Sequence, residues 1–135
     1  MLKLFIPKLL QTIKKVIYLD IDSVVNIDMN LLMNCDTGKK GIAMKINSLK
    51  ILSIIGVTNS NANTDVIVMD LDLLRYNKFT EGCMKIHNAN TRDNCQTIIN
   101  KWTRGNCHYV PKNYNIINGN DDTFIEESSE YIITN

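Results

Sequence analysis

Along this chain, short runs of consecutive apolar residues alternate with stretches in which apolar positions recur every three or four residues. Val16-Ile17-Tyr18-Leu19 is the first such run, and four apolar residues in succession predict a short strand buried on both faces. Val66-Ile67-Val68-Met69 repeats the pattern and predicts a second buried strand, with residues 71–75 turning out of it. Residues 6–13 read as helical ahead of the first strand, a short helix is expected around 29–33, and residues 41–46 read as a strand. Residues 48–57 fit either type, because a short apolar run has no period to decide it, and residues 59–65 are polar and loop-like. Farther on, Phe79, Cys83 and Ile86 share one helical face, as do Ile98, Ile99 and Trp102 in a later segment. Gly105 stops that helix, and residues 107–110 read as a strand before Pro111. Strands interleaved with helices make an α/β domain.

With 135 residues the chain is one domain at most, and a hydrophobic fraction of 44% suffices for an ordinary core. A net charge of +1, with no basic stripe or polybasic run, gives no case for a nucleic-acid or membrane partner. The opening apolar residues are broken by Lys3, Pro7 and Lys8, which makes them too short for a membrane span and a poor signal peptide. Cys35, Cys83, Cys95 and Cys107 lack the close pairing of a zinc site and read as buried or free thiols. A reducing, cytoplasmic compartment is the default, and a secretory one applies only if an N-terminal segment is missing.

The chemistry concentrates where the first strand ends. Asp20 and Asp22 are two carboxylates separated by one residue at the end of a buried strand, where open α/β folds place ligands. Such a pair repels unless a cation joins it, and a hard divalent ion held there can bridge to diphosphate oxygens. The plain alternative is an acidic loop, since Asp is common where strands end.

Residues 4–10 with 15–22, residues 66–75, residues 96–102 and residues 109–115, four stretches in one order and over nearly the whole chain, together resemble glycosyltransferase family 8. Leu4-Phe5-Ile6-Pro7-Lys8-Leu9-Leu10 followed by Lys15-Val16-Ile17-Tyr18-Leu19-Asp20-Ile21-Asp22 is similar to the family's helix and Asp-X-Asp strand. Residues 66–75 look like the strand after the family's Asn-Ser/Ala-Gly loop, residues 96–102 like its Asp-Gln helix, and residues 109–115 like its Leu-Pro-X-X-Tyr-Asn strand and turn.

The resemblance implies a GT-A fold, a Rossmann-like nucleotide-sugar-binding sheet flanked by helices, here spanning 1–135 as a partial domain incomplete at both ends. It implies a UDP-sugar donor, Mn2+ or Mg2+, and transfer to an acceptor hydroxyl with retention of configuration. Asp20 and Asp22 would be the metal ligands, Asp20-Ile21-Asp22 the donor-binding turn, and Lys3 a cation beside the donor phosphates. Asn63 and Gln96 would hold sugar hydroxyls as catalytic residues. Lys3 also reads as a solvated terminal lysine, and both amides as surface groups.

This sequence departs from the family pattern at several points. Asp65 replaces the glycine after Asn63, while Cys95 and Thr97 replace the carboxylates around Gln96, and Asp93 compensates only if the helix starts earlier. The family's third metal ligand, a His in a His-X-X-Gly-X-Lys-Pro-Trp stretch, is missing, as is the strand that receives the base. His87 and His108 read as structural or surface residues. Three functions therefore stand side by side: a glycosyltransferase, truncated or inactive in this form; a non-catalytic remnant that binds only donor or a partner; and a haloacid-dehalogenase-like phosphatase with Asp20 as nucleophile.

Overall fold

The computed structural model describes residues 1–26, 28–46, 62–110, 116–117 and 131–134. A 3-10 turn (Leu2–Leu4) and a single-turn helix α1 (Ile6–Leu9) lead into β1 (Lys15–Leu19), then β2 (Val24–Asn26), α2 (Met29–Met33) and β3 (Ile42–Ile46). After the gap come β4 (Ala62–Asp70), α3 (Leu71–Tyr76), α4 (Phe79–Ala89), α5 (Cys95–Thr103) and β5 (His108–Tyr109), followed by β6 (Ile116–Ile117) and β7 (Tyr131–Thr134).

The main sheet runs β1-β4-β3-β5, antiparallel between β1 and β4 and between β4 and β3, and parallel between β3 and β5. A small second sheet joins β2, β7 and β6. Alternation along β4 organises the core, because successive side chains leave a strand on opposite faces. Ile67 and Met69 pack with Phe79, Cys83, Ile98 and Ile99 under the helices, whereas Val66 and Val68 join Leu32, Ala43 and Val110 on the other face. All four β4 residues are fully buried, and each such side chain contributes about 1.5–3 kcal/mol of apolar burial. Helices therefore flank a sheet buried on both sides along its centre.

Several sequence expectations change here. Strand β1 exists, but all five of its residues are only half-buried, because it lies at the edge of the main sheet rather than inside it. Helix α1 ends at Leu9 rather than near residue 13; Leu10 leaves helical geometry, and Arg75 ties down the path to β1, donating to the carbonyls of Pro7, Leu10 and Ile13. Residues 62–65 are strand rather than loop, with Asn63 and Thr64 buried. Polar side chains mask a strand whose backbone pairing, not its hydrophobicity, decides it. Residues 71–75 are helix α3, started by Asp70, whose carboxylate accepts the Leu73 N–H at 2.9 Å. Arg104, in left-handed geometry at φ 50°, caps α5 directly before Gly105. The strand at residues 41–46, the helix at 29–33 and the apolar faces of α4 and α5 are as the pattern predicts. The ambiguous run at 48–57 and the Tyr-Asn turn at 114–115 lie outside the described residues.

Gly41 closes the approach to β3 with φ +78°, a left-handed conformation that suits glycine. An added Cβ there would lie 2.7 Å from Leu73 Cβ, so α3 could not sit as close to β3. The four cysteines are free thiols, and burial pushes the Cys83 thiol up to about 12. Among the described residues no helix is long and apolar enough to cross a membrane.

Candidate active site

Beyond the last β1–β4 pair, Leu19↔Val66, the Asp20 N–H still donates to the Asp65 carbonyl at 2.9 Å, so the two acids face each other across the strand ends. The β3–β4 ladder jumps from Met44↔Ile67 to Lys45↔Asn63, which leaves Thr64, Asp65 and Val66 without a partner on β3. Irregularities of this kind re-aim backbone and side chains at the end of a sheet. Here the jump turns the Thr64 N–H toward the side-chain carbonyl of Gln96, 3.4 Å away on the first turn of α5.

Thr64 is the junction. Its carbonyl accepts from Lys3 Nζ at 3.0 Å, and the same ammonium reaches Asp20 Oδ1 at 3.2 Å and Oδ2 at 3.4 Å. The Lys3 side chain is only 11% exposed, so this ion pair is shielded rather than solvated. Lys3 also lies 4.7 Å from the centre of the Tyr18 ring, and the Tyr18 hydroxyl donates to Asp20 Oδ1 at 2.6 Å. Tyr18 and Asp20 are two residues apart, so they share a strand face. That period was the available signal for Tyr18, which reads in the sequence only as part of an apolar run.

The electrostatics separate the two acids. Burial alone would raise the Asp20 carboxyl, but the Tyr18 hydroxyl and the Lys3 ammonium outweigh it and hold Asp20 below the ordinary carboxylate range. Asp65 is raised, by burial first and then by the facing Asp20, although the Asn63 amide opposes this. Burial and the bond to Asp20 raise the Tyr18 hydroxyl. Asn63 is turned onto its neighbour: its Nδ2 donates to Asp65 Oδ2 at 2.8 Å and its Oδ1 accepts the Asp65 N–H at 2.7 Å.

Of the residues singled out in the sequence, Lys3, Asp20, Asn63 and Gln96 converge around Thr64 and Asp65, and Asp22 and Ile21 do not join them. A turn closed by Ser23 N–H to the Asp20 carbonyl, at 3.1 Å, carries Ile21 and Asp22 outward, with Ile21 fully exposed. Ser23 Oγ is buried beside this turn with no partner among the described residues. Asp93 faces away: it accepts from Lys101 at 2.5 Å and from Asn90 at 3.0 Å, just before Asn94 caps α5. It does not stand in for the carboxylate replaced by Cys95. Asn100, which the sequence offers only as part of the 96–102 stretch, fixes α5 to the start of β4 through the backbone of Ala62.

Comparison with known proteins gives the fold and the family. No curated protein sequence matches the chain significantly. Among solved structures, an active-site mutant of LgtC superposes with a TM-score of 0.76 at 16% identity, covering 98% of this chain and 56% of that one. The apo bifunctional glycosyltransferase WbbM superposes with a TM-score of 0.77 at 18% identity, covering 98% of this chain and 30% of that one. The apo glycosyltransferase GlyE of Streptococcus pneumoniae TIGR4 superposes at 0.66 and 22% identity, covering 84% and 28%. These likenesses show the GT-A fold, and the chain spans little more than half the length of LgtC. The sequence profile of Glycosyl transferase family 8 matches residues 1–133, which sets the phosphatase alternative aside. A match of that extent, over a GT-A sheet with Asp20 where its first strand ends, makes this chain a member of glycosyl transferase family 8.

Proposed function

We propose that the chain carries the donor-binding part of a retaining glycosyltransferase that takes a UDP-sugar with Mn2+ or Mg2+ and transfers the sugar to an acceptor hydroxyl. The observation that carries this reading is the Thr64 junction, which gathers Lys3, Asp20 and Gln96 from three separate stretches of sequence. A galactosyltransferase LgtC in complex with donor and acceptor sugar analogues, 20% identical over 87% of this chain, supports it.

The donor set suits a hard cation. Asp20 and Asp22 offer carboxylates across one closed turn, and Ser23, whose N–H closes that turn, keeps a buried Oγ with no partner among the described residues. No group of three His, Cys, Asp or Glu side chains among the described residues is gathered to chelate a metal by itself, so Asp20 and Asp22 would hold it jointly with the donor diphosphate. When bound, the metal would neutralise charge on the departing diphosphate.

The protein's own residues supply position and charge rather than a nucleophile. Lys3, already oriented by the Thr64 carbonyl, balances negative charge on the leaving group. Ile21 presents its backbone to the donor from the exposed turn. Gln96 spends only its carbonyl, in a long contact with Thr64, and keeps its Nε2 donor for a sugar hydroxyl. Asn63 serves the same end when its amide leaves Asp65. The bond from the anomeric carbon to the diphosphate breaks as the acceptor oxygen bonds from the same face, and the acceptor proton leaves with the diphosphate.

Calorimetry tests the assignment. Mn2+ should bind more tightly with UDP than without, and the Asp20→Ala, Asp22→Ala double variant should lose that gain; equal binding by variant and parent would overturn it. Cys95 and Thr97, where the resemblance calls for carboxylates, favour donor binding without transfer as the second reading. A screen of UDP-sugars by product mass separates the two.

A further inference from the structure

On the flank of α4 and α5, distinct in its lining from the Thr64 junction, lies a cleft of about 510 Å3. Its lining includes Lys40, Lys85, Lys101 and Arg104 around Trp102, and no carboxylate. Lys101 is matched by Asp93, but Lys40, Lys85 and Arg104 make no ion pair with any described residue. Three unmatched cations on one small concavity repel one another, and an anion seated between them relieves that repulsion.

The cleft is built, not incidental. Trp102 is locked from three sides: Phe79 meets it edge-on with ring centres 4.9 Å apart, Lys40 Nζ sits 4.4 Å from its ring centre, and α4 passes beside its indole nitrogen at Gly82. A Cβ at Gly82 would lie 2.5 Å from Trp102 Nε1, so only glycine there lets the indole lie against the helix. The cation–π contact holds the Lys40 ammonium at the cleft instead of leaving it to swing in water. Arg104 takes the left-handed cap position, costly for a side chain, although the next residue is Gly105. Lysine and arginine converging, with Asp93 the acid on Lys101 and none on the other three cations, is the recognition chemistry of a phosphate monoester.

We propose that this cleft is a second binding site, for a phosphate monoester group, formed by Lys40, Lys85 and Arg104 over the Trp102 floor. The group belongs either to a free small phosphate or to a phosphorylated lipid headgroup. The site stands apart from the proposed donor reading, because it shares no residue with the Thr64 junction.

Trp102 is the single tryptophan of the chain, so its fluorescence reports directly on the cleft. The 135-residue chain is titrated with inorganic phosphate against chloride at matched ionic strength, and with phosphatidic acid vesicles against phosphatidylcholine vesicles. A saturable emission change with phosphate identifies a free phosphate ligand; saturation with phosphatidic acid vesicles alone identifies the headgroup. The Lys85→Ala, Arg104→Gly double variant should bind about tenfold more weakly or worse. Glycine relieves the left-handed strain at residue 104, so a loss of binding there is not a loss of folding, and circular dichroism checks this. Arg104→Lys should retain binding. No saturable change with either probe, or an unchanged response in the double variant, overturns the proposal; an altered UDP affinity does not bear on it.

Discussion

Asn100 holds the backbone of Ala62 from both sides: its Oδ1 accepts the Ala62 N–H at 2.9 Å, and its Nδ2 donates to the Ala62 carbonyl at 2.8 Å. One side chain thus does for the first residue of β4 what a neighbouring strand would do. It also fixes the position of α5, and Gln96 stands one turn earlier on the same helix face. Asn100→Ala would leave both backbone groups of a buried residue without these partners. We expect a loss of roughly 2–3 kcal/mol in denaturant unfolding. Asn100→Asp should recover only part of it, since a carboxylate accepts from Ala62 N–H but cannot donate to its carbonyl.

Lys3 is the only ion-pair partner of Asp20 among the described residues. Lys3→Met keeps the apolar stem over Tyr18 and removes the charge. The expected cost at neutral pH is roughly 1 kcal/mol, because a part-exposed carboxylate loses the shielded cation beside it. The folded-state pKa of Asp20 is depressed, so its contribution is present above the unfolded carboxyl value and lost as pH falls through the folded one. The difference between parent and variant should therefore shrink on acidification, which thermal melts from neutral to acid pH measure directly.

Asp65 carries the opposite sign. Its folded-state pKa is raised, so the folded chain binds the proton more tightly, and stability falls as pH rises from the unfolded carboxyl value through the folded one. Asp65→Asn removes the charge facing Asp20 and keeps an oxygen for the Asn63 amide. Like charges directly opposite on paired strands cost about 0.2–1 kcal/mol, so the variant should melt higher at neutral pH by that order. The gain should vanish where Asp65 is protonated in both states; an equal gain at every pH would show that repulsion by Asp20 is not its source.

Arg75 donates to three carbonyls on the path from α1 to β1 and to Asp72 at 2.6 Å. A lysine cannot span that fan, because its single nitrogen replaces a planar fork. Arg75→Lys should cost roughly 1–2 kcal/mol and raise amide exchange of residues 10–14 before that of the β4 core, as hydrogen-exchange mass spectrometry would resolve.

How much of this was legible beforehand differs from residue to residue. Val66-Ile67-Val68-Met69 announced β4 because a strand covered on both faces must be apolar at every position. Phe79, Cys83, Ile98 and Ile99 announced the helix faces through their spacing. The two carboxylates of Asp20-Ile21-Asp22, together with three further motifs in order, announced the family. Those are properties of local period and residue type, and a linear chain carries them in full.

Tertiary structure decided the rest. Residues 62–65 look like a loop until β3 and Asn100 supply partners for the backbone of Ala62 and Asn63, and Gln96, Lys3 and Asp20 for that of Thr64 and Asp65. The stretch 71–75 becomes a helix because Asp70 caps it, and β1 is half-buried because it lies at the edge of the main sheet. That Lys3 should meet Thr64, 61 positions away, is written in no pattern of either segment. Period and composition report what each residue prefers next to its neighbours in sequence. Which distant ammonium, hydroxyl and carboxylate share one place depends on how the sheet closes, and only the packed chain holds that information.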